Sequence, residues 1–209
     1  MATIKPIKER PLLLRGDLVQ DIYAGRKTQT RRPVKRALFH RMTDEANVFG
    51  EGFISTNDCP YGIPGDRLWV RETWCKAYDD VFYRADGDPK FTDGTPYSGL
   101  IGKWLPSIHM PRWASRLTLE IVSVKIQRLL DISEADARAE GKDPIHKGVV
   151  ATIETTNLAT KETQRIVHEN KEGRTARQRF LDSWDKIYAA KGFGRNENPW
   201  VWVIEFKRI

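Results

Sequence analysis

The stretch Arg116 to Gln127, RLTLEIVSVKIQ, constrains the fold more than any other part of the chain. Apolar residues take alternate positions, as in a strand with one face on a core, but the alternation changes phase. Leu117, Leu119 and Ile121 share one phase, and Val122, Val124 and Ile126 share the other. A phase change within one strand implies an inserted residue near Ile121, a β-bulge of the kind curved sheets need. Three other segments read as strands: Pro11 to Arg15 (PLLLR), Arg67 to Thr73 (RLWVRET) and Trp200 to Lys207 (WVWVIEFK). In RLWVRET, Leu68, Val70 and Glu72 share one face, opposite Trp69, Arg71 and Thr73.

Helices fall between these strands. Asp17 is placed to cap a first helix whose apolar stripe is Leu18, Val19, Ile22 and Tyr23, with Gly25 as its stop. Ser133, with Asp136 three residues on, opens a short helix that ends at Gly141. A longer helix starts near Thr175 and buries Ala176, Phe180, Trp184, Ile187 and Tyr188. Strands at both ends and in the middle, with helices between, predict an α+β chain built as a mixed β-barrel with flanking helices. The Gly-, Asp- and Pro-rich patches read as loops, those after Lys76 as a long surface excursion and 142–173 as polar and mobile. No internal repeat or domain boundary interrupts residues 1–209, so one domain is expected.

The segment GRKTQTRR, Gly25 to Arg32, stands just past the first helix. Arg26, Lys27, Arg31, Arg32, Lys35 and Arg36 lie within eleven positions with no acidic residue among them, in a chain of net charge +7. This cluster is either a solvated basic loop or a polyanion contact. Lys27 is either a phosphate contact or a base, the latter if burial and neighbouring cations leave it a neutral amine. In extended backbone, residues three apart point to opposite faces, so contact between Lys27 and Thr30 requires a turn or bulge. Glu140 sits in the last turn of its helix, four residues after Asp136, where dipole and like charge both disfavour a carboxylate. It is either an exposed residue at a fraying end or compensated by a cation such as Lys27. Glu72 either faces a cleft or forms a structural bridge with Arg71 or Arg116. Tyr61, Trp69, Trp74 and Trp113 either stack on a base or pack.

GRKTQTRR resembles the ASCH-family signature, a Gly-x-Lys-Thr-x-Thr stretch after the first helix. GDRLWVRET, ISEADARAEG and VWVIEFKRI are similar, in order, to three further elements of that family. Against minimal members, about 37–60, 76–113 and 142–173 look like loop insertions, of a kind associated with phage and prophage versions. The resemblance implies a PUA-like β-barrel in a superfamily that binds RNA and modified bases. Its small bacterial members are amidohydrolases that remove acyl groups from the exocyclic N4 of cytosine nucleosides. Residue by residue, the implied catalytic set is Lys27, Thr30 and Glu140. Arg26, Arg31, Arg32, Glu72 and Trp69 are candidates for substrate binding.

Other chemistries find less support. His40, His109, His146 and His168 are scattered, without HxxxH or a Cys/His cluster, so no metal is expected. The sequence lacks a GxSxG elbow, a P-loop and a dinucleotide fingerprint, and no organic cofactor is expected. Two other functions remain open: a non-catalytic RNA- or DNA-binding module using Arg26 to Arg36, and a metal-dependent ribonuclease gathering Asp66 and Glu72. The expected partner is a modified pyrimidine nucleoside or base, with RNA as the further class. No apolar run approaches a membrane span, and Cys59 and Cys75 read as free thiols of a cytoplasmic protein.

Overall fold

The computed structural model describes residues 6–35, 56–77, 80–90, 94–95, 102–141, 153–156, 163–166 and 174–209. Most of the expected insertions 37–60 and 142–173 lie outside them. The chain is α+β. Its main sheet combines β1 (Glu9–Leu13), β2 (Gln29–Pro33), β3 (Arg67–Arg71), β6 (Thr118–Arg128) and β9 (Trp200–Arg208). Their spatial order is β1-β3-β6-β9-β2, with β1 parallel to β3 and the other pairs antiparallel. The two edge strands, β1 and β2, are bridged by a side chain: the Arg32 guanidinium donates to the Leu13 carbonyl at 2.8 Å. Two hairpins, β4 (Trp74–Ala77) with β5 (Asp80–Tyr83) and β7 (Ile153–Thr156) with β8 (Thr163–Ile166), stand apart from this sheet.

β9 is the hub. Trp202, Ile204 and Phe206 face the main core with Leu12, Leu68, Leu119 and Val124, together with Val19 and Ile22 of α1 (Gly16–Tyr23). The alternate residues Val201 and Val203 pack under α2 (Glu134–Ala139) and α3 (Ala176–Tyr188) with Ala137, Phe180 and Trp184. A strand covered on both faces reads as the near-continuous apolar run WVWVI. The bulge lies where the phase change of β6 puts it: Ile121 pairs with Phe206 and Ser123 with Glu205. Val122 is the extra residue and turns outward, half exposed, so it does not join the buried phase expected of it.

Two other expectations need correction. Asp17 does not cap α1; the cap position is Arg15, because strand-like pairing runs on to Leu14, whose N–H donates to the Arg71 carbonyl. Asp17 sits inside the first turn, where its carboxylate suits the helix dipole and accepts from Arg15. The excursion after Lys76 is also not merely superficial. Trp74, Met110 and Ala114 form a small core of their own, and the Tyr83 hydroxyl donates to the Ala114 carbonyl at 2.9 Å.

α2 is set by local rules. Ser133 and Asp136 form the expected capping box, and Gly141 ends the helix at φ +81°. A Cβ on Gly141 would lie 2.8 Å from Asp21 Oδ2, so α2 and α1 approach more closely there than any other residue permits. Gly65 has a similar φ of +91° but open space around it. Gly141→Ala is therefore expected to cost about 1–2 kcal/mol of backbone strain plus the clash. Urea unfolding should show it clearly more destabilised than Gly65→Ala; equal losses would contradict the close approach.

Candidate active site

α2 ends where the chain of GRKTQTRR begins. Gly25, at φ +72°, releases the chain from α1, and the Arg26 and Lys27 amides both donate to the Asp21 carbonyl. Lys27 then forms an antiparallel bridge with Glu140, and the Thr28 amide donates to the Ala139 carbonyl. This crossing brings residues 113 positions apart together as a backbone contact. The turn between Lys27 and β2 also lets the Lys27 side chain fold back on its own strand. Its Nζ donates to the Gln29 carbonyl at 2.7 Å, the Glu140 carbonyl at 3.1 Å and Glu140 Oε2 at 2.9 Å. Three acceptors for three N–H bonds are the environment of an ammonium.

Arg31 completes the cluster from β2. Its Nη1 donates to Glu140 Oε1 at 3.2 Å, so each oxygen of the carboxylate is held by a different cation. Nη2 lies 3.3 Å from Asp136 Oδ2, within ion-pair reach, but neither Nη2 nor Nε meets an acceptor in hydrogen-bond geometry. The guanidinium rests over the Phe180 ring, 5.8 Å from its centre. Gln29 ties the same end of α2 down by donating to the Asp136 carbonyl at 2.6 Å. Burial works against the Asp136 carboxylate, yet bonds from Ser133 and the charge of Arg31 outweigh it and hold its pKa below the usual range. The side chains of Lys27, Glu140 and Arg31 are 1%, 5% and 0% exposed, so these charges are met by neighbouring protein groups, Asp136 among them, and hardly by water.

The cluster borders a cavity of about 390 Å³ at the seam between β1 and β2. Lys27, Thr30, Arg31, Arg32 and Glu140 all line it. Opposite them, α3 contributes Phe180, Trp184 and Tyr188, with Tyr61 and Leu13 closing the sides. Trp184 and Tyr188 lie 4.3 Å apart between ring centres. Burial pushes the Tyr61 phenol up, against the lowering effect of the nearby Arg32 cation. Thr30 is buried on the cavity wall, and Arg32 Nη1 reaches the Tyr188 hydroxyl at 3.5 Å.

Three of the expected substrate-binding residues lie elsewhere. Arg26 forks onto Asp21 Oδ1 at 2.7 and 2.9 Å, drawn back along α1 by the turn at Gly25, and does not line the cavity. Glu72 is fully buried but grips Arg116 through both oxygens, at 2.9 and 3.1 Å. Desolvation pushes its pKa up, with Arg116 opposing, and Arg116 also stacks 3.9 Å from the Tyr83 ring centre. Glu72 thus fastens the β4–β5 hairpin, the structural bridge its sequence position left open. Trp69 is sandwiched near Arg71 and Arg112, on a face away from the cavity. Arg31 does line the cavity, but its side chain is sealed below it. Strand alternation turns that side chain toward the helix-covered face with Val203, where it holds Glu140 Oε1.

Phe180, Trp184 and Tyr188 belong to the cavity wall as well as to the buried face of α3, a double role that helical periodicity does not separate from plain core packing. Ile187, expected to be buried, is 45% exposed, since the helix face it shares borders the cavity mouth.

No family model and no curated protein matches this chain. Two solved structures are similar to it over most of its length. An ASCH domain from Lactobacillus crispatus aligns with 96% of this chain and 79% of its own, at 11% identity and a TM-score of 0.41. A protein of the DUF984 family from Enterococcus faecalis aligns with 98% of this chain and 82% of its own, at 11% identity and a TM-score of 0.40. At this overlap neither assigns a chemistry.

Glu140 offsets two buried cations, and removing its charge takes the carboxylate from Lys27 and leaves Arg31 with Asp136. Glu140→Gln is expected to lower the unfolding free energy by about 3–5 kcal/mol, the usual cost of breaking a buried pair from one side. Denaturant titration of the variant checks this; a loss under about 1 kcal/mol would mean the cluster is open to solvent.

Proposed function

We propose that the cavity hydrolyses the amide of an N4-acylated cytosine or cytidine, without a cofactor. The observation that carries this reading is the buried Lys27–Glu140 pair, 2.9 Å apart, on a cavity wall shared with Thr30. These are the residues that the ASCH resemblance of GRKTQTRR and ISEADARAEG singles out for that activity. The cavity is within the size range of small-molecule sites, roughly 300–1,000 Å³, and its wall of Phe180, Trp184, Tyr188 and Tyr61 suits a flat aromatic ligand.

The chemistry needs a nucleophile, a proton acceptor and a donor for the leaving nitrogen. Thr30 attacks the acyl carbon through its hydroxyl or positions the water that does. Lys27 begins as an ammonium, so it becomes a base only after handing a proton to Glu140 Oε2, its 2.9 Å neighbour. Burial favours that transfer, because it penalises the charged pair and spares the neutral one. The neutral amine then takes the proton of the attacking hydroxyl and delivers it to N4 as the C–N bond breaks. Water supplies the oxygen of the released carboxylate, and the products are the free 4-amino base and the acid. Arg31, held on Oε1, keeps Oε2 directed at Lys27.

The competing readings find weaker support in these contacts. A phosphate track along the basic stretch would use Arg26, Lys27 and Arg31, which are engaged with Asp21 and Glu140. A metal-dependent ribonuclease would gather Asp66 and Glu72. Asp66 instead accepts from the backbone amides of Lys8 and Ile63, and Glu72 from Arg116.

Incubation with N4-acetylcytidine, followed by the ultraviolet change to cytidine, tests the activity. The folded protein is expected to turn the substrate over, and Lys27→Ala to lower kcat/KM by about 10²–10⁴-fold, the range for loss of a general acid–base group. Absence of turnover at high concentration of folded protein would overturn the activity. Full activity in Lys27→Ala would overturn the mechanism alone.

A further inference from the structure

β2 is an edge strand, and its unpaired backbone faces the cavity. The hydrogen bonds at its two ends fix the pattern. The Phe206 amide donates to the Thr28 carbonyl and the Val34 amide to the Trp200 carbonyl, with an unbroken register between them. In an antiparallel ladder this makes Thr30 and Arg32 the residues whose N–H and C=O point into β9, while those of Gln29, Arg31 and Pro33 point away. The outward groups are not equivalent. The Gln29 carbonyl is occupied by Lys27 Nζ, and Pro33 has no N–H. Arg31 is the one residue of β2 left with both a free donor and a free acceptor. Arg31 as a whole is 2% accessible while its side chain is 0%, so what it exposes is main chain, and it lines the cavity.

We infer that the Arg31 peptide is the recognition edge of this site, reading a planar heterocycle that carries a hydrogen-bond donor beside an acceptor. For the N4-acylcytosine of the proposed hydrolysis, on which this inference rests, the Arg31 N–H donates to ring N3 and the Arg31 carbonyl accepts from N4–H. In extended backbone the N–H and C=O of one residue point the same way, as this donor–acceptor edge requires. The same pairing fixes N4, the leaving nitrogen, next to the residue that follows Thr30 in the chain.

A free sheet edge also invites an extended peptide, and the structure argues against that occupant. One peptide's worth of free backbone cannot sustain a ladder. Its continuation is closed by Pro33 on one side and by the Lys27–Gln29 bond on the other, and the seam beyond is spanned by Arg32 to the Leu13 carbonyl. A cavity of about 390 Å³ with the rings of Trp184 and Tyr188 on its wall matches a single base. The buried Arg31 side chain serves the same end. Anchored by Glu140 and stacked over Phe180, it holds the peptide in place.

Cytidine, the product, is the probe. In amide-resolved NMR of the full chain, cytidine is expected to move the Arg31 N–H proton downfield by more than the Thr30 and Arg32 protons, which are already in the ladder. 3-Deazacytidine, which lacks the ring acceptor, is expected to bind about tenfold more weakly and to leave the Arg31 proton in place, as the loss of one buried hydrogen bond predicts. Equal affinity for the two nucleosides, an unmoved Arg31 proton in the cytidine complex, or no binding of cytidine would each overturn the inference. Turnover of N4-acetylcytidine with an unmoved Arg31 proton would sink this inference and leave the hydrolase standing. A shifted Arg31 proton without turnover would do the reverse.

Discussion

Everything at the site depends on the salt link between Lys27 and Glu140. A lysine and a glutamate removed from water are each costly, and a pair so enclosed survives only where further hydrogen bonds complete the partners. Here the Gln29 and Glu140 carbonyls complete the lysine, and Arg31 completes the carboxylate. The link also joins elements that share no other sheet contact: it pins the start of β2 to the end of α2, so the edge strand is held where it walls the cavity. Two hydrophobic clusters could be built around β9 without these charges. On the proposed function their place in the interior serves chemistry at the cavity; well-packed apolar groups would serve stability as well or better.

The cluster divides the basic segment into residues with separate duties. Lys27 and Thr30 face the cavity, Arg31 sits behind Glu140, Arg32 crosses the seam to β1, and Arg26 turns back to Asp21. Strand alternation imposes this division, because neighbours on β2 cannot present side chains to the same side. On the proposed reading it also gives Arg31 two functions at once, a side chain that orients an acid and a peptide that meets the ligand.

Where local rules govern, the sequence was readable. The bulge of β6 follows from its phase change, the cap of α2 from Ser133 with Asp136, the start of α3 from the pattern near Thr175, and the turn after α1 from Gly25. The meeting of Lys27 with Glu140 was anticipated from an unfavourably placed carboxylate and a family likeness; spacing contains no such information. What sequence did not reveal is which way a side chain faces once strands pair. Arg31 and Arg26 look alike in GRKTQTRR, and only the pairing of β2 with β9 and the turn at Gly25 separate them. Glu72 presents the same alternation whether it meets a ligand or Arg116, and the partner, 44 residues away, decides. The aromatic wall of α3 was hidden for a similar reason, since Phe180, Trp184 and Tyr188 repeat as any core stripe would.

The central claim is that Lys27 and Glu140 act as one proton-handling unit. A double-mutant cycle on kcat/KM for N4-acetylcytidine, using Lys27→Met, Glu140→Gln and the pair together, measures it most directly. Residues that work as a unit lose their function together, so the double variant is expected to be no slower than the worse single variant, within about threefold. Losses that multiply would show two independent contributions and contradict the account.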